Sequence, residues 1–237
     1  MTAANIILTP SWGALLSDTA FYDGTGIIRR LSRKIAVLDR CNAVTVIRGI
    51  GNVPAQVEKD FGEVEKLSDL LEALPDYCRE IYRSARPSSR FFGLHDGAAK
   101  VEMSVVAWDE WHGKPVFFCL SSHPDEDGPL EGAGAEPYEV RECGICSLSP
   151  LPSEQMETVL GKPLASREDV FALDPEIDGL KIMEAQRRTL VTVPGIQEPI
   201  PTVGGSCDLA MVSAAGISVK TLKTWPDEIG SHAGVKP

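Results

Sequence analysis

The spacing of the apolar residues switches period four times along this chain, and that alternation limits its fold more than any other feature. Residues 5–8 form a short apolar run closed by Pro10 and Ser11. Residues 13–17 form a second, ending at Asp18, and the turn chemistry of Asp23-Gly24-Thr25-Gly26 follows. Residues 34–38 and 43–47 read as two more strands around a polar 39–42, so the first quarter is a meander or a pair of hairpins. Then the period becomes helical: Leu67, Leu70, Leu71, Leu74, Cys78, Ile81 and Tyr82 share one face. Ser68 or Asp69 is positioned to cap that helix. Pro75 is expected to kink or split it, and Arg86-Pro87 to end it. Residues 54–61 read as a short lead-in helix.

Strands return at 101–108 and 115–120, joined by the turn 109–113. A Gly-, Pro- and acid-rich stretch at 121–137 reads as a surface loop. Short helices are expected at 153–160 and 166–173 and a stronger one at 175–190. A final hairpin, 207–213 and 217–225, turns over Ala214-Ala215-Gly216. Runs of strands alternating with runs of helices predict two packed sheets with helices outside, in a single domain covering 1–237.

Composition excludes several functions. The chain carries 34 acidic against 23 basic side chains, a net charge of -11, which disfavours nucleic-acid phosphates and anionic membrane surfaces as partners. No apolar stretch is long enough to span a bilayer and no basic head precedes an apolar run, so a cytoplasmic location is expected. Six cysteines in a chain of 237 residues without a secretion signal read as reduced, mostly buried thiols.

The chemistry centres on Thr2. Methionine aminopeptidases remove Met1 when the next residue is small, which would leave a threonine with a free α-amine. The amine, with an ordinary pKa of about 7.7–8.0, can take the proton of the hydroxyl on the same residue. A nearby lysine ammonium would lower that pKa, and a carboxylate would hold the lysine. Asp18 lies sixteen residues after Thr2 and Lys34 sixteen further on. If their strands are neighbours in one sheet, both side chains reach the N-terminus.

Thr2, Asp18 and Lys34 at this spacing resemble the proteasome β-subunits and the bacterial ATP-dependent peptidase related to them, both N-terminal-nucleophile (Ntn) hydrolases. Val105-Val106-Ala107-Trp108-Asp109 with Gly113-Lys114-Pro115-Val116-Phe117-Phe118 resembles that family's second-sheet hairpin, and the helix from Leu67 its first helix. The resemblance implies a four-layer αββα sandwich of α+β class. It implies Thr2 as nucleophile and base, Lys34 tuning the amine, and Asp18 holding Lys34. A backbone N–H of Arg48 or Gly49 would stabilise the oxyanion. It further implies a peptide or other amide substrate, a ring or other homo-oligomer, and no metal or organic cofactor. The chain departs from the family in carrying Asp18-Thr19-Ala20 for Asp-x-Arg, Arg48-Gly49 for Gly-Gly, and no Ser-Gly-Ser cluster. Those departures fit a second reading, the same fold serving as an inactive structural or assembly protein.

Other motifs point less far. Cys143-x-x-Cys146 lacks a second pair for a zinc site and reads as two buried thiols. Gly204-Gly205-Ser206 lacks the lysine and helix of a phosphate loop and reads as a bend entering the last hairpin. His95, His112, His123 and His232 fall in turns or loops and read as exposed. Trp108 and Trp111 flank a hairpin and are expected to pack on the core or a neighbouring subunit.

Overall fold

A computed structural model describes residues 2–23, 25–49, 54–91, 100–123, 136–192 and 199–233. Over these residues the chain is mixed α+β, with five α-helices and four antiparallel sheets. Strands β1 (Ala4–Leu8) and β2 (Trp12–Asp18) are a hairpin. A small pair, β3 (Ala20–Tyr22) and β4 (Ile28–Leu31), follows before the hairpin β5 (Ile35–Leu38) and β6 (Ala43–Gly49). Helices α1 (Pro54–Phe61) and α2 (Leu67–Phe91) lead into the hairpin β7 (Val101–Asp109) and β8 (Lys114–Ser121). Two short strands come next, β9 (Arg141–Glu142) and β10 (Cys146–Ser149). Helices α3 (Met156–Leu160), α4 (Arg167–Phe171) and α5 (Ile177–Arg188) follow, then the two-residue strands β11 (Leu190–Val191) and β12 (Ile200–Pro201). The hairpin β13 (Ser206–Ser213) and β14 (Gly216–Thr224) ends the regular structure.

One five-stranded sheet runs β10-β1-β2-β13-β14 and the other β5-β6-β7-β8-β9. Alternation along the strands sorts the apolar side chains onto two faces of each sheet. Ile6, Leu8, Leu15, Ala210 and Val212 of the first sheet cluster with Ile35, Val44, Val46, Val106 and Phe117 of the second. The other face of the second sheet packs Ala36, Ile47, Met103 and Val105 against Val57, Phe61, Leu70, Leu74 and Cys78 of α1 and α2. The other face of the first packs Ile7, Leu16 and Leu209 against Leu160, Val170, Ile182 and Met183 of α3, α4 and α5. Burial of each large side chain, such as Phe117 at 1% exposure, contributes roughly 1.5–3 kcal/mol.

Several expectations are corrected. The first four expected strands are a pair of hairpins, but in different sheets, so β2 and β5 are not neighbours. Neither Pro75 nor Arg86-Pro87 ends α2, which is one helix to Phe91. Leu70 and Leu74 before Pro75 and Cys78 after it are all fully buried against the sheet, and this packing outweighs the lost N–H donor. Strands β3, β4 and β10 were not foreseen. β4 exposes three of its four residues, Arg29, Arg30 and Leu31, and lacks the alternation that marks a half-buried strand. Trp108 is half-buried against the inter-sheet cluster, but Trp111 is 90% exposed at the hairpin tip. Cys143 and Cys146 are half-buried rather than buried, and His123 is half-buried against the Tyr82 ring, its Nδ1 2.8 Å from the Ser122 hydroxyl. His95 and the middle of the expected 121–137 loop lie outside the described residues.

Candidate active site

Asp18 ends β2 and Lys34 immediately precedes β5, so the two belong to opposite sheets. They meet across the gap: Lys34 Nζ donates to Asp18 Oδ1 at 2.7 Å, with both side chains 0% exposed. A buried ion pair is tolerable only when its remaining hydrogen-bonding capacity is filled. Three backbone N–H groups fill it on the carboxylate. Ala3 donates to Oδ1 at 2.9 Å, and Ala20 and Gly204 donate to Oδ2 at 3.2 Å each. Asp18 therefore ties together the residue after Thr2, the turn leaving β2, and the segment entering β13.

Lys34 lies 5.1 Å from the centroid of the Phe21 ring and 6.0 Å from that of Tyr22, which brings β3 over the cation. Burial lowers the Lys34 pKa from its ordinary value. Asp18 opposes that shift, while the Arg30 and Arg48 charges add to it. The Tyr22 hydroxyl is buried with no hydrogen-bond partner among the described residues, and burial, with the charges of Asp18 and Asp227, pushes its pKa far up.

Thr2 itself is 3% exposed and sits at the mouth of β1. Arg48 points toward it. Its Nε donates to the Thr2 carbonyl at 3.0 Å, and its Nη1 reaches both oxygens of Glu102 at 3.0 and 3.1 Å. Arg48 and Glu102 face each other in register on β6 and β7. Gly49 closes β6 with φ +91°, and a Cβ there would lie 1.7 Å from the Lys100 carbonyl oxygen, so only glycine fits. Of the five residues expected from the sequence, Asp18 and Lys34 meet directly and Arg48 reaches Thr2 through its side chain, whereas Gly49 follows Arg48 and packs against Lys100.

The sequence matches no protein-family model and no curated protein.

Sequence reasoning missed several members of the site. Gly204-Gly205 does make the expected bend into β13, with Gly205 at φ +78°, but its N–H groups also seat carboxylates: Gly204 bonds Asp18 and Gly205 bonds Asp227 at 2.7 Å. A pair of adjacent glycines just before a strand was the available signal. Phe21, Tyr22 and Glu102 left none, because nothing local marks a residue that meets the N-terminus from another strand. A groove of about 700 Å³ lies elsewhere, on α3, α5 and β14, and none of the five residues lines it. No group of three His, Cys, Asp or Glu side chains among the described residues is arranged to hold a metal ion. No described helix is long and apolar enough to cross a membrane.

Proposed function

We propose that this chain is an Ntn hydrolase of the proteasome-like kind, a four-layer αββα sandwich that cleaves amide bonds with Thr2 once Met1 is removed. The observation that supports it best is the fully buried Lys34–Asp18 pair, whose carboxylate also accepts the N–H of Ala3, the residue bonded to Thr2. A charge pair is costly to bury, and this one lies against the first residues of β1. In the proposed reaction the Thr2 α-amine takes the hydroxyl proton as Oγ1 attacks the substrate carbonyl carbon. The tetrahedral intermediate expels the amine, which leaves with that proton, and an ester on Thr2 remains. Water then attacks the ester, releases the carboxylic acid and regenerates the hydroxyl. Lys34 keeps the amine unprotonated by like-charge repulsion, and Asp18 holds Lys34. The backbone N–H of Arg48 or Gly49 is the proposed oxyanion donor. The same reading takes the substrate to be a peptide or related amide and the protein to be cytoplasmic and self-associating.

One observation favours the second reading, an inactive member of the same fold with a structural role. Arg48 bonds the Thr2 carbonyl where a substrate strand would approach, and Thr2 is 3% exposed. Intact mass before and after treatment with a β-lactone separates the two. Opening of the lactone by Thr2 Oγ1 adds the whole reagent as an ester, so one adduct mapping to Thr2, absent from Thr2→Ala, supports the hydrolase. Retained Met1, or a free Thr2 that never reacts, overturns it in favour of the structural reading.

A further inference from the structure

The ion pair between Arg187, in the last turn of α5, and Asp227, just past β14, lies outside the cluster described above. Arg187 Nη1 donates to Asp227 Oδ2 at 2.6 Å and Nη2 to Oδ1 at 2.5 Å, with side-chain exposures of 12% and 2%. Such a two-pronged contact fixes the carboxylate in orientation as well as position. Asp227 Oδ2 also accepts the N–H of Gly205 at 2.7 Å.

The two peptide units that flank Gly204 join this pair to Asp18. The peptide joining Gly204 to Gly205 is a rigid plane, with the Gly204 carbonyl at one end and the Gly205 N–H at the other. That carbonyl accepts the N–H groups of Thr19 and Ala20, both at 3.1 Å, while the Gly205 N–H is taken by Asp227. The plane is therefore clamped between the turn leaving β2 and the pair Arg187–Asp227. Side chains are excluded on both sides. A Cβ on Gly205 would lie 2.4 Å from Thr19 Oγ1, and one on Gly204 within 3 Å of Tyr22 Oη, Ala233 and Asp227. The Gly204 N–H lies in the preceding peptide, whose Val203 carbonyl accepts Arg187 Nη1 at 3.1 Å; it donates to Asp18 Oδ2, and Asp18 Oδ1 is left to Lys34 and the N–H of Ala3.

We infer that Arg187 and Asp227 are positioning residues for the Thr2–Asp18–Lys34 site, acting through the two peptides that flank Gly204. The role in catalysis rests on the hydrolase reading, but the coupling to Lys34 does not. Lys34 is faced by Asp18 from β2, by Arg30 from β4, by Arg48 from β6, and by the rings of Phe21 and Tyr22 from β3.

The test is a pH titration of the Lys34 side-chain methylene carbon next to Nζ, by NMR of the ¹³C-lysine-labelled full chain, assigned with Lys34→Arg. It is run beside the pH dependence of Thr2 acylation by the β-lactone. Asp227→Ala is expected to move the Lys34 midpoint by roughly half to one pH unit, and the acylation profile with it. Asp227→Asn, which keeps an acceptor for Gly205, should move both less. Arg188→Ala, which breaks the exposed Arg188–Glu154 pair of the same helix, should move neither. If Asp227→Ala does not fold, Arg187→Met, which frees Asp227 to turn away from Gly205, is judged by the same criterion. Acylation of Thr2 with an unmoved Lys34 midpoint overturns the inference and leaves the hydrolase reading standing. A moved midpoint in a protein whose Thr2 never reacts keeps the coupling and overturns the hydrolase reading. An unmoved midpoint without acylation overturns both.

Discussion

The asymmetry of the Asp18–Lys34 pair makes a double-mutant cycle informative. In Lys34→Met the carboxylate loses its cation but retains the N–H groups of Ala3, Ala20 and Gly204. Hydrogen bonds to a charged group contribute roughly 1.5–3 kcal/mol each, so this variant should lose only about 2–3 kcal/mol. Asp18→Asn removes the carboxylate facing a lysine that is also repelled by Arg30 and Arg48, and its amide adds donors where three N–H groups already converge. Removing one partner of a buried pair costs about 3–5 kcal/mol, and this variant belongs at the upper end. The double variant Asp18→Asn/Lys34→Met buries no charge there, so it should be more stable than the sum of the singles by about 1–3 kcal/mol. Urea melts at neutral pH measure all three. On heating, a 4 kcal/mol loss in a chain of this size lowers Tm by roughly 8–16 °C.

The cycle also has a pH signature. A lysine whose folded pKa lies below its unfolded value holds fewer protons in the fold than in the unfolded chain between the two values. Stability therefore rises with pH across that window. Losing Asp18 lowers the folded value further and widens the window, so the deficit of Asp18→Asn should shrink as pH rises from neutral toward about 10. Strictly additive variants, or an Asp18→Asn that costs under about 1 kcal/mol and has a flat pH profile, would show that Lys34 is not a buried cation held by Asp18.

Three other outcomes are expected. Tyr22→Phe removes a buried hydroxyl with no hydrogen-bond partner among the described residues and should leave stability unchanged or raise it by about 1 kcal/mol in urea melts. Gly205→Ala places a side chain at φ +78° and 2.4 Å from Thr19 Oγ1, and should cost at least about 1–3 kcal/mol by the same melts. Asp178 is buried, which opposes its ionisation, yet Lys162, the Asp174 N–H and Lys181 together hold its carboxyl below the usual range. An acid with a depressed folded pKa stabilises the fold above its unfolded pKa, and that contribution fades as pH falls toward the folded value. Asp178→Asn should therefore be less stable than the parent near pH 7, and its deficit should shrink as pH falls below the usual carboxylate range in melts across the acid range.

Local chemistry decided much of this protein. The hairpins β1–β2, β7–β8 and β13–β14 follow from apolar and strand-like runs closed by Pro10-Ser11, by residues 109–113, and by Ala214-Ala215-Gly216. The face of α2 follows from Leu67, Leu70, Leu74 and Cys78 at helical spacing. The spacing of Thr2, Asp18 and Lys34 marked two residues that do meet, Asp18 and Lys34, with Asp18 also bonded to the N–H of Ala3, the residue after Thr2. What the sequence could not decide is how they meet. Period and turn signals report a strand's own faces and ends, not which sheet it joins, and Asp18 at the end of β2 meets Lys34 before β5 across two sheets rather than within one. The Arg48 contact with Thr2, the Gly204 N–H on Asp18, and the Arg187–Asp227 clamp join residues 40 to 186 positions apart. Such contacts exist only once packed sheets have excluded water from the site. Burial makes each polar group require a partner, and tertiary structure alone determines which one is within reach.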